Sequence, residues 1–490
     1  VDSLVGSEMC IRDSFYACLI LFVYESRKFL MPTDIVVLAA GKGTRMNSSL
    51  AKVLHPLAGA PMIQHVIKTA RRLEPRHIAV VIGHQGADVR AALAAQEGGA
   101  NLIWVEQEQQ LGTGHAVKLA KAHLPDEGVM LVLYGDVPLI TEDTIRACED
   151  AALQGRLGLV VAEFGDPAEL GRIIRDDTDA VRAIIEFKDA TPEQRKISEI
   201  NSGILAAPLK HMAQWLDRLQ SNNVQGEFYL TDIIAMAVQD GVEVVPIHAS
   251  SEAEVTGVND RIQLAQLERH VQKYLVEQLM LDGASFADPG RVDIRGQVRV
   301  GKDCFIDANV LFTGEVELSD GVRIGPGCVV SDSRLGARTE VLANTIVDGA
   351  DVGPGCSLGP FARVRPGSVL GTGVKIGNFV ETKQTRLGDH SKASHLAYLG
   401  DAEIGSEVNV GAGTVTCNYD GVNKHPTNIG DGAFIGTNST LVAPINIAAK
   451  AFVAAGSALT KDVAAAQLAV GRSRQRNIDG WSAPNSETKK

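Results

Sequence analysis

Residues 294–330, IRGQVRVGKDCFIDANVLFTGEVELSDGVRIGPGCVV, carry a six-residue repeat that decides the fold of the C-terminal half of the chain. Every sixth residue of this stretch is apolar, in the order Ile294, Val300, Ile306, Phe312, Leu318, Ile324 and Val330. Two further runs keep the same period, one from Val352 to Ile376 and one from Ile429 to Leu459. One inward-pointing apolar residue in each hexapeptide predicts a parallel β-helix, in which every turn buries its core against the next.

The repeat breaks twice, near residues 382–403 and 417–428. Loops leave a repetitive coil at such breaks, and polar residues on loops are candidates for function. The alternative for this half is an ordinary β-sandwich, which would show period-two strands separated by hairpin signals. We therefore expect a β-helix whose functional side chains lie at its interruptions.

The first half of the chain alternates short β-branched runs with helix-like stretches. Strands are predicted at residues 35–40 (IVVLAA), 77–83 (HIAVVIG) and 129–136 (VMLVLYGD). Strand, loop and helix in rotation indicate an α/β domain with a mainly parallel sheet. Ligands of such sheets bind at the carboxyl ends of the strands.

These patterns predict a domain organisation. Residues 31–257 form the α/β domain, residues 258–283 a linker helix, and residues 284–490 the β-helix with a basic tail. The globular pattern begins at Met31, so residues 1–30 are interpreted as an upstream extension outside the fold. Their apolar stretch, residues 15–24, is shorter than the ~20 residues that a spanning helix needs, and it lacks the flanks of a signal peptide.

Composition excludes several classes of protein. The chain has 490 residues, of which 45% are hydrophobic and 22% charged, and this is typical of a globular protein with two or three domains. Its net charge of -12 argues against a protein that coats nucleic acid or an anionic membrane. The 7 cysteines are spaced far apart without a CxxC motif, which indicates neither a disulfide framework nor a zinc site and favours the reducing cytoplasm.

Two motifs of the first domain point to phosphate chemistry. In LAAGKGTRM, residues 38–46, Gly41 and Gly43 let the backbone approach an anion, and Lys42, Arg45 and Lys52 supply positive charge. The motif matches neither GxGxxG nor the P-loop, and a glycine turn after a strand is often only a turn. In LYGD, residues 133–136, the strand ends in a carboxylate that suits Mg²⁺ or that simply caps a loop.

A histidine stands out in the second domain. The segment GDHSKASHLAYLGD, residues 388–401, places His395 close to Lys392 and Tyr398 at a break in the repeat. Imidazole suits a general base because its pKa lies near neutrality, although an isolated histidine is more often structural. The residues alone leave both readings open.

The ordered set of motifs carries a family resemblance. LAAGKGTRM, followed by Lys52 seven residues after Arg45, resembles the signature of sugar-phosphate nucleotidyltransferases. Together with QLGTGHA, LYGDVPL, EINSG, the hexapeptide coil and HLAYLGD, it is similar to the bacterial bifunctional N-acetylglucosamine-1-phosphate uridyltransferase / glucosamine-1-phosphate N-acetyltransferase family. The resemblance runs from about Met31 to the C-terminus.

The resemblance implies a fold, two activities and an assembly. It implies a Rossmann-like nucleotidyltransferase domain joined by a helix to a left-handed β-helix, in a cytoplasmic homotrimer whose acetyl sites are shared between subunits. The coil would acetylate glucosamine 1-phosphate with acetyl-CoA, and the first domain would then couple the product to UTP with Mg²⁺. The final product would be UDP-N-acetylglucosamine, a precursor of peptidoglycan and lipopolysaccharide, and no nucleic acid or membrane partner is implied.

Site residues of the first domain follow from matching motif positions to the family. Arg45 and Lys52 are implied to contact the phosphates in catalysis, and Asp136 and Asn259 to bind Mg²⁺. The nucleotide-binding set shares the carboxyl ends of strands and the turns after them: Leu38, Ala39, Ala40, Gly41, Lys52, Gln107, Gly112, Thr113, Tyr134, Gly135 and Asp136. The set implied to bind the acetylated sugar is Gly171, Glu186, Asn201 and Asn259.

The β-helix receives a second set in the same way. The resemblance implies that His395 is the general base that deprotonates the amine of glucosamine 1-phosphate. The positions implied to bind that substrate are Arg365, Lys383, Tyr398 and Asn409. The positions implied to surround acetyl-CoA are Ala412, Asn418, Tyr419, Thr437, Ala455 and Arg472.

Three positions depart from the family pattern. Ala51 stands where proline is usual before the lysine, Ser394 where glycine is usual before the histidine, and Thr437 where serine is usual. The first affects the loop that carries Lys52, and the other two affect the acetyl pocket. None of the three removes a catalytic group.

Three other functions fit part of the sequence. A glucose-1-phosphate adenylyltransferase would use its β-helix only for regulation, and a regulatory coil has no use for His395. A binding scaffold like the subunits of translation-initiation exchange factors need not keep Lys52 and Asp136. A β-helix carbonic anhydrase would need three metal-binding histidines, and His390, His395 and His425 lack such spacing.

Overall fold

The computed structural model describes residues 31–83, 85–94 and 101–481. The extension predicted at residues 1–30 lies outside the described residues. The described chain forms two compact units, which divide between His270 and Val271 inside one long helix. None of its described helices is both long and apolar enough to cross a membrane.

The first unit is built on a nine-stranded mixed sheet. Its main path, from one edge to the other, runs Val244–His248, Leu157–Glu163, Glu199–Pro208, Val129–Tyr134, Thr33–Ala39, His77–Ile82 and Leu102–Glu106. Strands Arg172–Arg175 and Val181–Ile185 extend the sheet beside Glu199–Pro208. The predicted α/β architecture is confirmed, with the parallel pairing concentrated in its four strands from Val129–Tyr134 to Leu102–Glu106 and antiparallel pairing around Glu199–Pro208.

Helices cover both faces of this sheet, which explains the unbroken apolar runs of its strands. Ile35 and Val37 pack into the core on one face, and Val36 and Leu38 into the core on the other. Successive residues of a strand point to opposite faces, so the part that helices cover on both faces, residues 35–39, is apolar. Asp34, at the start of the strand, is buried but paired with Arg76. The helices are Met62–Arg71, Gly86–Ala94, Thr113–Lys121, Glu142–Leu153, Leu209–Arg218, Asp232–Gln239 and Glu252–Val255, with short 3-10 turns Thr44–Met46, Lys52–Leu54 and Gln194–Lys196 and a small hairpin, Pro56–Leu57 with Ala60–Pro61.

The second unit is a parallel β-helix, as the period of six predicts. One 11-stranded parallel sheet runs along it: Ala284–Phe286, Cys304–Ile306, Arg323–Ile324, Glu340–Val341, Ser357–Leu358, Lys375–Asn378, Lys392–His395, Asn409–Val410, Phe434–Ile435, Phe452–Val453 and Leu468–Ala469. A 15-stranded sheet forms the remaining faces: Val292–Val300, Val310–Leu318, Val329–Ser331, Arg334–Leu335, Ile346–Asp348, Asp351–Val352, Arg363–Val364, Val369–Leu370, Glu381–Leu387, Tyr398–Ile404, Val415–Cys417, Thr427–Ile429, Thr440–Val442, Ile445–Ile447 and Ala458–Leu459. A 3-10 turn, Pro289–Arg291, lies between the first strands of these sheets.

The repeated apolar residues fill the interior of the coil. Ile306, Phe312, Ile324 and Leu358 are fully buried in one continuous core, whereas Val300 is only partly buried at its edge. Each hexapeptide supplies one of these residues and forms one face, and three hexapeptides make one turn, so Ile306 and Ile324, 18 residues apart, pair on neighbouring turns.

The first predicted interruption is not a loop. Strands Glu381–Leu387 and Tyr398–Ile404 pair in parallel across residues 382–403, so the coil continues there. The apolar period lapses because buried threonines occupy inward positions, and the Thr385 hydroxyl donates to Leu399 O at 2.8 Å. The second interruption does leave the coil, as a hairpin between Cys417 and Thr427 closed by a bridge from Tyr419 to Lys424.

The predicted linker helix spans Arg261–Leu281. Asp260 caps its first turn, because its Oδ1 accepts the N–H groups of Ile262 and Gln263 at 2.9 Å. The chain leaves the helix at Gly283, whose φ of 115° favours glycine.

At the start of the coil, a side chain of the linker helix makes the backbone hydrogen bonds that a neighbouring strand makes elsewhere. Gln272 is 3% exposed; its Oε1 accepts Ile294 N–H at 2.7 Å, and its Nε2 donates to Ile294 O at 2.7 Å. Gln272→Ala should lower the free energy of unfolding of this unit by about 2–4 kcal/mol, because a buried donor and a buried acceptor lose their partners. Denaturant unfolding checks this against the exposed neighbour Lys273→Ala, and equal midpoints for the two variants would refute the capping role.

Candidate active sites

A lysine, a carboxylate and an amide meet at the carboxyl edge of the first unit's sheet. The Lys52 ammonium donates to Asp136 Oδ2 and, at 3.2 Å, to Asn259 Oδ1. Asp136 lies two residues after the end of the strand Val129–Tyr134, and its backbone O accepts Val258 N–H at 2.9 Å, which fixes the segment that carries Asn259. Residues far apart in the sequence thus converge, as their implied common role requires.

The residues present fit a Mg²⁺ ion that the family implies. Asp136 Oδ2 and Asn259 Oδ1 already converge on one cation, the Lys52 ammonium, so they can converge on another. Both are hard oxygen donors of the kind that Mg²⁺ prefers. Within the described ranges, no group of three or more His, Cys, Asp or Glu side chains could hold a metal. Water and substrate phosphate would therefore complete the coordination, as is usual for Mg²⁺.

The glycine-rich turn forms one wall of a cavity of about 430 Å³ beside this cluster. The cavity is lined by Ala39, Ala40, Gly41, Lys42, Gly43, Thr44, Asn47, Ser48, Ala51, Gly83, Gln85, Gly86, Val89 and Gln110. Gln110 Nε2 donates to Ala40 O at 2.7 Å and so holds the turn open. Gly43 has a φ of 58°, and a Cβ added to it would clash with the Lys52 side chain, so glycine is required there.

Two sequence predictions near this turn have different outcomes. Ala51 is buried at a φ of -55°, a value that proline also adopts, so the departure from the family pattern keeps the turn that precedes Lys52. Arg45 is not part of the lysine cluster. Its guanidinium is largely exposed and lies 4.0 Å from the Glu169 carboxylate.

A second cavity of about 550 Å³ continues along the same edge, and Gln107 lies in its wall. Gln107 Nε2 donates to Gly112 O at 3.1 Å. Gly112 has a φ of 105°, and an added Cβ would lie 2.6 Å from Phe228 O, which excludes other residues. Thr113 begins the next helix and bonds to the hydroxyl of Tyr134, whose pKa is raised by burial.

The residues implied to bind the sugar lie together beside the extending strands: Gly171 comes just before Arg172–Arg175, Glu186 just after Val181–Ile185, and Asn201 lies on Glu199–Pro208. Asn201 N–H donates to Gly171 O at 2.9 Å, and Asn201 Oδ1 accepts Gly203 N–H at 2.9 Å. Glu186 accepts the Thr231 hydroxyl at 3.0 Å, and burial raises the pKa of its carboxyl. A cavity of about 350 Å³ opens beside Glu186 and Thr231. The structure therefore brings Gly171, Glu186 and Asn201 to one place.

In the β-helix, His395 has a partner that the sequence did not reveal. Its Nδ1 lies 2.6 Å from Asn378 Oδ1, and the two residues face each other on paired strands. Since an amide oxygen only accepts, Nδ1 carries the proton and Nε2 is left as the basic nitrogen. This is the tautomer that a general base needs.

A cationic cluster lies on the neighbouring face. Arg365 pairs with Glu381 at 2.6 Å, and Glu381 is paired along the sheet with Tyr398. Lys424, on the hairpin that leaves the coil, approaches Lys383 and lowers the pKa of its ammonium through like-charge repulsion. Asp401 acts on Lys383 in the opposite sense, and Arg365 adds further positive charge to the patch, which suits a phosphate group.

The positions implied to bind acetyl-CoA follow successive turns of the coil. Ala412 O accepts Asn438 N–H, Thr437 O accepts Gly456 N–H, both at 2.7 Å, and Ala455 O accepts the Arg472 guanidinium at 2.8 Å. Ala412, Thr437 and Ala455 are therefore held on neighbouring turns of the coil.

The hairpin contributes the remaining two acetyl-CoA positions. Asn418 Nδ2 donates to Asp401, and Tyr419 is 59% exposed. His425 pairs with Asp420 at 2.7 Å, separately from His395, so these contacts do not assemble the histidine triad of a carbonic anhydrase.

The unrecognised members of the sites are Asn378, Glu381, Asp401 and Lys424. Asn409 is paired in the parallel sheet with Lys392 on one side and with Phe434 on the other. Asn378 precedes His395 by 17 residues, which is about one turn of the coil. This spacing is the sequence signal that could have identified Asn378 as a neighbour of His395.

Comparison with known proteins agrees with both halves. Residues 35–218 match the family model of the MobA-like NTP transferase domain. Residues 289–398 match the GMPPB C-terminal domain, and residues 426–461 the hexapeptide repeat of succinyl-transferase.

Several curated relatives match this chain along nearly all of their length. The Bifunctional protein GlmU of Marinobacter nauticus is 50% identical over 455 residues, which cover 93% of this chain and 99% of the relative. The protein of the same name from Stutzerimonas stutzeri is 54% identical over 457 residues, covering 93% and 100%. That of Alkalilimnicola ehrlichii is 52% identical over 451 residues, covering 92% and 96%. Identity at this level over nearly the full length of these relatives shows that the chain belongs to the GlmU family of bifunctional proteins.

Proposed function

We propose that this chain makes UDP-N-acetylglucosamine by two reactions in series. The β-helix transfers an acetyl group from acetyl-CoA to glucosamine 1-phosphate, and the α/β domain then transfers uridylyl from UTP to N-acetylglucosamine 1-phosphate with release of pyrophosphate. The observation that carries this proposal is the presence of two separate reactive sets in one chain. One is the Lys52, Asp136 and Asn259 cluster, and the other is His395 oriented by Asn378.

Uridylyl transfer requires alignment and positive charge more than covalent chemistry. An oxygen of the sugar phosphate attacks the α-phosphorus of UTP in line, and pyrophosphate leaves. Lys52 offers an ammonium to the phosphates, and the Gly41 turn lets the backbone approach them. Mg²⁺, held by Asp136 and Asn259, would neutralise charge on the phosphate oxygens. Gly171, Glu186 and Asn201 would orient the sugar, so no protein nucleophile is needed.

Acetyl transfer requires a base. The amine of glucosamine 1-phosphate attacks the thioester carbonyl, a C–N bond forms, the C–S bond breaks, and coenzyme A leaves as its thiol. His395 Nε2 takes the proton that the amine loses, while Nδ1–H stays on Asn378 Oδ1. The imidazolium then gives that proton to the departing sulfur, so that coenzyme A leaves as its thiol and His395 returns to its neutral form. Arg365 and Lys383 would hold the sugar phosphate, with Tyr398 and Asn409 on the sugar.

Among the residues that the sequence did not identify, we expect Lys424 to contribute most to binding the phosphate of glucosamine 1-phosphate. Lys424→Gln should raise the KM for glucosamine 1-phosphate about tenfold, because it removes a charge-assisted contact to the phosphate. It should also return the pKa of Lys383 upward, so that the alkaline rise of this KM begins at a lower pH in the wild type than in the variant. Thiol release measured across the alkaline range checks both effects, with Lys450→Gln on a later coil as the control. An unchanged KM for Lys424→Gln would contradict the assignment.

We propose that the chain works as a homotrimer with shared acetyl sites. An apolar ridge of Phe361, Phe379 and Leu396 lies next to His395 and is 51%, 57% and 61% exposed. The two phenylalanine rings stack with centroids 5.6 Å apart. Exposed apolar surface beside a reactive histidine supports a second subunit at this place. Sedimentation equilibrium should give a trimer, and a monomer at assay concentrations would contradict shared sites.

A cytoplasmic location agrees with the cysteines that the structure describes. Cys148, Cys304, Cys328, Cys356 and Cys417 are all free thiols. Burial raises the pKa of the Cys304, Cys328 and Cys356 thiols, so these three are poorly reactive.

Assays of the separate half-reactions test the proposal. Acetyl-CoA with glucosamine 1-phosphate should release free thiol, and UTP with Mg²⁺ and N-acetylglucosamine 1-phosphate should release pyrophosphate. Turnover of ATP with glucose 1-phosphate instead would favour the adenylyltransferase alternative. No turnover in any mixture would favour a binding scaffold.

A further inference from the structure

Arg172 is a buried cation among the strands that carry or flank Gly171, Glu186 and Asn201, the residues implied to bind the sugar. Only 2% of the residue is exposed, and it lies on the strand Arg172–Arg175, directly after Gly171. Its guanidinium donates to three carbonyl oxygens of the preceding loop: Pro167 O at 3.5 Å, Ala168 O at 2.9 Å, and Leu170 O. It also donates to Arg195 O, from Nε at 3.3 Å and from Nη2 at 3.2 Å.

This guanidinium has only uncharged hydrogen-bond acceptors. Among the described residues, no carboxylate forms an ion pair with Arg172, and burial lowers the pKa of its guanidinium. Burying a charge is costly unless its hydrogen bonds are satisfied. A residue that only filled space here would do so at lower cost as an apolar side chain. The buried charge of Arg172 is therefore explained by the backbone oxygens that its guanidinium holds in place.

The acceptors of Arg172 belong to segments that carry the sugar-binding residues. The loop of residues 167–170 leads directly into Gly171. The Arg172 guanidinium lies 5.6 Å from the ring centroid of Phe187, the residue after Glu186. The main chain of Arg172 pairs with Ile200, the residue before Asn201. Through its side chain and its main chain together, Arg172 thus connects the neighbours of all three residues implied to hold the sugar.

The 3-10 turn Gln194–Lys196 also contacts Phe187. Arg195 donates from Nε to Phe187 O at 3.2 Å, and its guanidinium lies 4.5 Å from the Phe187 ring centroid. Phe187 is therefore held from two directions, by Arg172 and by Arg195. Movement of Arg172 would release Phe187, and with it the position of Glu186.

We propose that Arg172 is a positioning residue for the sugar half of the uridyltransferase site. It sets the spacing of Gly171, Glu186 and Asn201 without touching substrate, and so controls the affinity and selectivity for the acetylated sugar phosphate. This inference rests on the proposed function, because it takes the sugar-binding roles of those three residues from it. Nucleotide binding, on the separate turns around Gly41 and Gly112, does not depend on Arg172.

The test compares Arg172→Met, Arg172→Lys and the control Arg182→Met. Arg182 lies on the adjacent strand Val181–Ile185 and pairs at the surface with Asp176. Arg172→Met should raise the KM for N-acetylglucosamine 1-phosphate about tenfold to a hundredfold, since small misplacements of binding groups have effects of this size. The KM for UTP and the rate of acetyl transfer should stay at wild-type values. Arg172→Lys, which keeps the charge but fewer contacts, should fall between Arg172→Met and wild type.

The outcomes separate the inference from the proposed function. If the wild-type chain does not turn over UTP and N-acetylglucosamine 1-phosphate, the proposed function fails. If the wild type is active and Arg172→Met has an unchanged KM for the sugar phosphate, the positioning role is refuted. Direct titration of each variant with UTP covers a folding defect: equal losses of UTP and sugar-phosphate affinity would make Arg172 a general structural residue and overturn the inference. A selective loss for the sugar phosphate, absent in Arg182→Met, supports it.

Discussion

His395→Ala should lower acetyl transfer to glucosamine 1-phosphate by about a hundredfold to ten-thousandfold, which is the usual contribution of a general base. The variant keeps the coil, because the His395 side chain lies at the surface, where it bonds to Asn378, and is not part of the apolar core. Free-thiol release from acetyl-CoA measures the loss. Uridylyl transfer, measured on the same sample as pyrophosphate release, should remain at the wild-type rate and so reports that the chain is folded.

Asn378→Ala provides the matched comparison. It keeps the imidazole but removes the acceptor that holds the proton on Nδ1, so Nε2 is no longer the only basic nitrogen. Its acetyl transfer should fall less than that of His395→Ala. Retention of full acetyl transfer by His395→Ala would remove this histidine from the mechanism, and loss of both activities would contradict the division of labour between the two units.

Asp136→Asn should have the reverse effect. Uridylyl transfer should fall by about a hundredfold to a thousandfold, because the developing charge on the phosphates loses an anchored cation. The substitution also removes the carboxylate that holds the Lys52 ammonium, so two phosphate-binding groups are affected together. Acetyl transfer should be unchanged. Pyrophosphate release at increasing Mg²⁺ concentrations measures the loss and shows whether excess metal restores part of it.

Asp126→Asn is the control for this variant. Its carboxylate is 93% exposed and pairs only with Lys121 at the surface of the same unit. Both activities should stay at wild-type values. Wild-type uridylyl transfer by Asp136→Asn, or equal losses in the two variants, would show that the Lys52 cluster is not the reactive set.

The sequence predicts most of the fold because both halves repeat a pattern with a physical cause. Apolar residues such as Ile306 and Phe312 recur every six residues because each face of a coil buries one of them, and residues 35–39 are apolar because helices cover both faces of the sheet. The same reasoning fails at residues 382–403. Thr382 and Thr385 point inward there and satisfy their hydroxyls within the coil, so an apolar period is not needed to continue it.

The sites divide in a similar way between residues with a motif and residues without one. Lys52, Asp136 and His395 lie in recognisable segments, and the structure places Lys52 on Asp136. Lys424 could not be found, because its role depends on which loops become neighbours in the coil. Asn378 is signalled only by its place one coil before His395, which can be used once the register of the coil is known. Arg172 is hidden for another reason: its contacts are to backbone oxygens, which leave no mark in the sequence.

The central claim is that the two reactive sets of one chain work in series. The most direct test is pyrophosphate release from UTP and Mg²⁺ with glucosamine 1-phosphate, with and without acetyl-CoA. We predict release only when acetyl-CoA is present, because the coil must first make the acetylated sugar phosphate. Release that is equally fast without acetyl-CoA, or none in either case while N-acetylglucosamine 1-phosphate also fails, would contradict it.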